Sequence, residues 1–212
     1  MDEQKQAVIL AGRTVIAKQL TWGTSGNISL REKDRVWITA SGTVLGDLKE
    51  EDILVLDLEG NVLEGSKKPS KETGMHLKVY GRRPDVGGIV HCSPFYGTLC
   101  ACSGIPLQTN LFIESMYYDR GINSIPYCHA GSRELAAAVE EAAAGCNVIL
   151  MENHGLLTFD KNLGEALLAM EITEQVCRMN VMAAGGGFTL REVDEGTVNE
   201  FLKGGYYKPV KI

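Results

Sequence analysis

Residues 22–42 read WGTSGNISLREKDRVWITASG, and their pattern sets the arrangement of the first strands. Apolar and polar side chains alternate over residues 27–31 and again over residues 35–39, which is the period of two that half-buried β-strands show. Lys33 and Asp34 lie between the two runs, at the position of a tight turn. We therefore predict an antiparallel β-hairpin, preceded by a loop of small residues.

On both sides of this hairpin, segments with helical and strand periodicity alternate. A helix is predicted over residues 4–20, where apolar residues recur with helical spacing. Further strands are predicted at 53–57, 62–63, 87–91 and 148–151, and further helices at 70–83, from Pro94 onward, and at 132–144, 162–180 and 195–202. No repeat, low-complexity segment or linker interrupts the series. We therefore predict a single α/β domain over residues 1–212, with a largely antiparallel sheet.

The composition excludes several classes of function. The 212 residues carry a net charge of −6, which gives no support to nucleic-acid binding. No segment approaches the roughly 20 consecutive apolar residues of a membrane span, and the polar N-terminus does not resemble a signal peptide. The six cysteines show no Cys-x-x-Cys zinc spacing and are interpreted as buried thiols. We expect a cytoplasmic protein without nucleic-acid or membrane partners.

Three loops have the composition of anion-binding sites. Residues 23–27 and 39–43 are small enough for backbone N–H groups to converge on a ligand. Residues 69–72 open a predicted helix, whose N-terminus attracts negative charge, and Lys71 adds a positive charge there. Each loop alone is more typical of an ordinary turn or helix cap. Three of them in one domain favour a phosphate pocket.

Two of the four histidines lie at the ends of predicted strands. His91 ends the strand at 87–91, and His154 follows the strand at 148–151. Loops converge on a rigid scaffold at strand ends. Two imidazoles with a carboxylate such as Glu72 form a donor set for a divalent metal. On spacing alone, a structural role for each histidine is the alternative.

The order and spacing of these motifs resemble the class II aldolase/adducin family, and its L-fuculose-1-phosphate aldolase branch in particular. The shared motifs run nearly from end to end of the chain. They are GTSGNIS (23–29), ITASG (38–42), PSKE (69–72) followed by Met75 and His76, RPDV (83–86) before IVH (89–91), and ENHGL (152–156). A single motif of this set is weak, but the ordered set is specific.

The resemblance implies a three-layer α/β/α fold with a mostly antiparallel central sheet, and a homotetramer with sites at its subunit interfaces. It also implies a metal-dependent lyase. Such an enzyme cleaves a small ketose phosphate to dihydroxyacetone phosphate and an aldehyde through an enediolate. The implied metal is zinc, with manganese and iron as alternatives.

By the same resemblance, Glu72 is the general base, and His91 and His154 are metal ligands. The residues implied to line the phosphate pocket are Gly26, Asn27, Ser41, Gly42, Ser70 and Lys71. Lys71 stands where the family usually has serine. A lysine there strengthens phosphate binding if it points inward and does nothing if it points to solvent. His76 lies one helical turn after Glu72 and shares its face of the helix. A structural role is favoured for His76.

The chain departs from the family pattern at Ser93. The family motif is His-x-His, whereas this chain reads His91-Cys92-Ser93, so a neutral hydroxyl takes the place of the second imidazole. Cys92 is expected to face the opposite side of the strand. Three outcomes are open. His129 substitutes as a ligand, Glu72 completes a two-histidine, one-carboxylate site suited to manganese or iron, or tight metal binding and aldolase activity are lost.

The same motifs leave two alternatives to an aldolase. A sugar-phosphate epimerase, or a decarboxylase of a sugar-acid phosphate, uses the same enediolate chemistry, and the groups that distinguish these reactions lie on variable loops. The other alternative is a catalytically degenerate homologue that keeps the fold for binding or assembly. Ser93 favours that reading, whereas Glu72 and the three loops favour an enzyme.

Overall fold

The computed structural model describes residues 2–119 and 121–208. The helices are α1 (Glu3–Ala17), α2 (Thr73–Arg82), α3 (Phe95–Ser103), α4 (Ile113–Tyr118), α5 (Arg133–Ala142), α6 (Leu163–Gly186) and α7 (Glu195–Gly204). The strands are β1 (Asn27–Glu32), β2 (Arg35–Thr39), β3 (Ile53–Leu56), β4 (Val62–Glu64), β5 (Gly88–Cys92), β6 (Asn123–Ile125), β7 (Val148–Met151) and β8 (Gly155–Asp160). Among these elements, no helix has the length and apolar character needed to cross a lipid bilayer.

The described strands form one sheet, in the order β4-β3-β2-β1-β5-β8-β7-β6. Neighbouring strands pair antiparallel, except β6 and β7, which are parallel. The predicted hairpin is β1–β2, in which Leu30 lies opposite Trp37. Strand β5 is central, and His91 lies opposite Asn27 on β1 and Leu157 on β8. The prediction of a largely antiparallel sheet is confirmed.

Helices cover both faces of the sheet, which confirms the three-layer α/β/α arrangement. Helices α1, α3 and α6 pack on one face, where the buried core includes Val90 of β5. Helices α2 and α5 pack on the other face, where the core includes Ile89. Because successive side chains of a strand point to opposite faces, His91 shares the α2/α5 face with Ile89.

Helix α2 begins at Thr73, so the prediction of a helix from residue 70 is wrong at its start. The backbone before the helix is held by the end of β2 instead. The Ser41 N–H donates to the Lys68 carbonyl at 2.9 Å, and the Ser70 N–H donates to the Thr39 carbonyl at 3.2 Å. These bonds keep residues 68–70 extended, and Glu72 takes the N-cap position of the helix without a capping hydrogen bond from its side chain.

Other differences arise where tertiary contacts override local pattern. The sequence does not predict α4, β6 or β8, and α6 continues past residue 180 to Gly186. Strand β8 follows β7 through a tight turn in which Asn153 has a φ of +54°. Asparagine is one of the few residues besides glycine that adopts this left-handed conformation readily.

The first backbone N–H groups of α3, which follows strand β5, are capped by a side chain of helix α6. The carboxylate of Glu174 on α6 accepts from the Tyr96 N–H at 3.0 Å and from the Gly97 N–H at 2.7 Å. We expect Glu174→Ala to lower the free energy of unfolding by about 2 kcal/mol, because one buried and one partly buried backbone donor lose their acceptor. Urea denaturation measures this change. Glu171→Ala, which removes a surface ion pair with Lys18, is the matched control, and equal losses in the two variants would contradict the cap.

Candidate active site

Three side chains from three separate elements converge at the end of the central strand. Glu72 is at the start of α2, His91 is on β5, and His154 is in the turn between β7 and β8. The His91 Nε2 lies 3.3 Å from Glu72 Oε2, and the His154 Nε2 lies 3.0 Å from Glu72 Oε1. One ligand atom from each residue lies within 4.8 Å of the others. The structure therefore brings together the predicted base and both predicted metal ligands.

The hydrogen bond of His91 is made at Nδ1, which leaves the lone pair of Nε2 free to bind a metal ion. Nδ1 lies 2.8 Å from the Leu156 carbonyl, which only accepts, so Nδ1 carries the proton. In the neutral ring, Nε2 then presents a lone pair to the Glu72 carboxylate. Burial lowers the pKa of His91, which favours this neutral form.

This donor set fits a divalent metal ion. Glu72 Oε1 is buried and receives no directed hydrogen bond. The His91 Nε2 lone pair also faces a carboxylate oxygen, and two electron-rich atoms in contact call for a cation between them. Glu72, His91 and His154 would hold that ion, as two imidazoles and a carboxylate do in known metal sites.

The Glu72 carboxyl is nearly buried yet remains ionised. Burial acts to raise its pKa, but the neighbouring imidazoles of His91 and His154 and the hydrogen bond from Asn27 outweigh burial and lower the pKa to about 2. The site opens on the His154 side, because the His154 side chain is 17% exposed while that of His91 is 2% exposed. A ligand can therefore reach the three donor groups from that side.

The three predicted anion-binding loops meet around Glu72. Residues 39–41 pair with residues 68–70 through the backbone bonds described above. The Ile28 N–H donates to the Thr39 hydroxyl at 3.3 Å, which joins the start of β1, directly after the first loop, to the second loop. Ser41, Gly42 and Lys71 are exposed to solvent beside these contacts. The geometry brings the loops together, while their binding of phosphate stays a prediction.

Gly26 allows the first loop (residues 23–27) to lie directly against β5, the strand that carries His91. Its φ is +91°, and a Cβ atom built there would lie 2.7 Å from the His91 carbonyl oxygen. No other residue type has both this backbone freedom and this small size. Gly26 thereby places the first loop next to His91.

The side chain of Asn27 is occupied within the protein. Its amide nitrogen donates to Glu72 Oε2 at 2.8 Å, and its carbonyl oxygen lies 2.6 Å from the His76 Nε2. His76 is fully buried and contacts the Ser29 hydroxyl through Nδ1 at 2.7 Å. The structural role of His76 is therefore to hold the Asn27 side chain, which in turn contacts Glu72.

Neither Cys92 nor His129 joins the group of ligand atoms, and the Ser93 hydroxyl makes other contacts. The Ser93 hydroxyl lies 2.8 Å from that of Ser25 and 3.4 Å from the His154 carbonyl. Cys92 is buried in the core on the α1/α3/α6 side, and burial raises the pKa of its thiol. His129 is exposed and pairs with the Tyr127 hydroxyl at 3.1 Å. Among the described residues, the group contains only Glu72, His91 and His154.

The sequence matches the model of the class II aldolase and adducin N-terminal domain over residues 6–181. The chain belongs to the class II aldolase and adducin family. An L-fuculose phosphate aldolase of Methanococcus maripaludis is 36% identical over 159 residues, which cover 74% of this chain and 84% of that protein. A solved L-fuculose 1-phosphate aldolase has a TM-score of 0.89 and 31% identity, and the match covers 98% of each chain.

Other members of the family carry names for different reactions. A 3-oxo-tetronate 4-phosphate decarboxylase of Haemophilus influenzae is 35% identical over 182 residues, which cover 83% of this chain and 86% of that protein. Similarity to class II aldolases therefore establishes the family and the fold.

Sequence patterns miss part of the site of this class II aldolase family member. Ser29 and Tyr80 belong to the hydrogen-bonded group around His76. The available signal was spacing: Ser29 is two residues from Asn27 on one strand face, and Tyr80 is one helical turn after His76.

Proposed function

We propose that this protein is a metal-dependent lyase that cleaves a small ketose phosphate to dihydroxyacetone phosphate and an aldehyde. The observation that carries the proposal is the convergence of Glu72, His91 and His154 within 4.8 Å at the end of β5. Similarity to named L-fuculose phosphate aldolases supports the substrate class. In this proposal the divalent ion, when bound, is a Lewis acid that stabilises negative charge on the substrate carbonyl oxygen.

Glu72 is the group that holds the proton during the reaction. In cleavage, the hydroxyl on the departing carbon gives up its proton as the carbon–carbon bond breaks and the aldehyde leaves. Glu72 can take that proton and return it to the enediolate carbon next to the carbonyl, and the reverse reaction removes it from that carbon. A carboxylate with a pKa of about 2 is a weak base. Because burial alone raises the pKa of Glu72, any loosening of its contacts with His91 and His154 moves the pKa towards the range of an effective base.

The phosphate would be anchored at the loops that precede Glu72. Ser70 and Lys71 immediately precede Glu72 in the chain, and the Ser70 N–H is bonded to the Thr39 carbonyl at the end of β2. A phosphate bound in the predicted pocket would therefore fix the substrate relative to the base. The residues of that pocket are Gly26, Asn27, Ser41, Gly42, Ser70 and Lys71. Binding energy from a group remote from the reacting bond is thus used for orientation.

Several finer expectations belong to the same proposal. Zinc is the proposed metal, with manganese and iron as alternatives because only two imidazoles are present in the group. A homotetramer with sites at subunit interfaces and a cytoplasmic location are proposed from the resemblance to the family. Decarboxylation of a sugar-acid phosphate is the second candidate reaction, favoured by the 35% identity to a named decarboxylase.

The test is an assay of purified protein supplied with zinc, manganese or iron(II). A panel of ketose 1-phosphates and 3-oxo-acid 4-phosphates serves as substrate, and enzymatic detection of dihydroxyacetone phosphate is compared with release of carbon dioxide. Dihydroxyacetone phosphate formed from a ketose 1-phosphate, without carbon dioxide and in a reaction that stops on adding a chelator, supports the lyase. Loss of carbon dioxide from a 3-oxo-tetronate 4-phosphate also leaves dihydroxyacetone phosphate, so carbon dioxide from that substrate, with no product from any ketose 1-phosphate, would replace the lyase with the decarboxylase. No product from either kind of substrate with any metal would overturn both.

A further inference from the structure

We infer that Asn27 and His76 form a buried hydrogen-bonded chain that positions Glu72 through the Asn27 side chain. The chain runs from Glu72 through Asn27 and His76 to Ser29 and ends at Tyr80. The catalytic part of this inference rests on the proposed function.

The direction of each hydrogen bond follows from the carboxylate end. Ionised Glu72 only accepts, so the amide nitrogen of Asn27 donates to Oε2. The Asn27 oxygen then faces His76 and accepts from the Nε2–H. With its proton on Nε2, His76 accepts at Nδ1 from the Ser29 hydroxyl. The Tyr80 hydroxyl completes the chain by donating to Ser29 at 2.8 Å.

Burial stabilises this arrangement, in which each proton of the chain stays on the atom named above. Ser29 and His76 have no exposed surface, and Tyr80 is 1% exposed. Burial lowers the pKa of His76 to about 3 and raises that of Tyr80, so the imidazole stays neutral and the phenol stays a donor. When the His76 ring is neutral with its proton on Nε2, the Asn27 amide has one favourable orientation. The opposite orientation would turn the amide oxygen towards the Glu72 carboxylate.

The hydrogen-bonded chain fixes the positions of the two carboxylate oxygens of Glu72. Asn27 lies opposite His91 on neighbouring strands, so its amide holds Oε2 beside the His91 ring. Oε1 is left facing His154 on the open side of the site. Asn27 and His76 are therefore positioning residues: Asn27 touches Glu72 directly, and His76 acts on Glu72 through Asn27.

Two substitutions of His76 separate positioning from packing. Glutamine has an N–H donor and a carbonyl acceptor and can repeat both contacts, whereas leucine can make neither. We expect His76→Leu to lower kcat by about 10- to 100-fold, as loss of partners of active-site groups does elsewhere, with KM changed less than about threefold. His76→Gln should retain most of kcat. Circular dichroism confirms that each variant folds, and equal losses of kcat in both, or a change in KM alone, would overturn the inference.

A second readout does not depend on activity. Long-range ¹H–¹⁵N correlation spectra of wild-type protein report the tautomer of each histidine. We expect His76 to be neutral at pH 7 with its proton on Nε2. A proton on Nδ1, or a doubly protonated ring, would overturn the chain even in an active enzyme. If the wild type cleaves no substrate, the proposed function fails, and the spectra still decide whether the chain exists.

Discussion

Glu72→Gln is expected to lower kcat by about 10²- to 10⁴-fold, the range over which a general acid–base group contributes. The amide keeps the size of the side chain but neither takes a proton nor supplies negative charge to a cation. It also places an NH₂ group where Oε1 or Oε2 now faces His154, His91 or Asn27. Steady-state assay of dihydroxyacetone phosphate formation measures the change.

The matched control is the same substitution at Glu140. That carboxylate pairs with Lys78 at 2.9 Å on the partly exposed surface of α5. We expect Glu140→Gln to keep wild-type kcat, because surface ion pairs contribute little. A Glu72→Gln variant with wild-type kcat would show that the reaction does not use this carboxylate.

Gly26→Ala is expected to lower the free energy of unfolding by about 3 kcal/mol or more. The new methyl group would meet the His91 carbonyl oxygen at 2.7 Å, and the backbone would remain at a φ of +91°. Relief of this clash moves the first loop away from β5, so KM for a phosphorylated substrate should rise as well. Chemical denaturation and steady-state kinetics measure the two effects.

Gly23→Ala separates the two causes of this instability. Gly23 has a φ of +58°, but a Cβ atom there meets nothing within 4 Å. We expect a loss of about 1 kcal/mol from backbone strain alone. The difference between the two variants then reports the close approach to His91, and equal losses would show that this approach is unimportant for stability.

The layered fold follows from local pattern because its strands show clear alternation. The β1–β2 hairpin and the helix from Ser132 are recognisable from strand period, turn residues and a capping serine whose hydroxyl accepts from the Leu135 N–H at 3.0 Å. The late start of α2 at Thr73 is not recognisable, because it depends on backbone bonds to a strand some thirty residues earlier in the chain. Strand β8 depends in the same way on its pairing with β5.

The site shows the same division between local and long-range information. Strand ends and motif resemblance predict Glu72, His91 and His154, and the structure places them together. The partner of the Asn27 side chain is set by the packing of α2 against β1, which residue spacing does not reveal. Ser93 likewise has a meaning only in three dimensions, where its hydroxyl contacts Ser25 and the turn that carries His154.

The measurement that tests the metal site most directly is equilibrium dialysis against zinc, manganese and iron(II), followed by elemental analysis. It is made on the wild type, on His154→Ala and on Ser93→His. If Glu72, His91 and His154 hold the ion, the wild type binds about one metal ion per chain. His154→Ala should then bind at least about tenfold more weakly, as loss of one of few ligands implies. A wild type that binds none of the three metals, beside a Ser93→His variant that binds one, would contradict the proposed site.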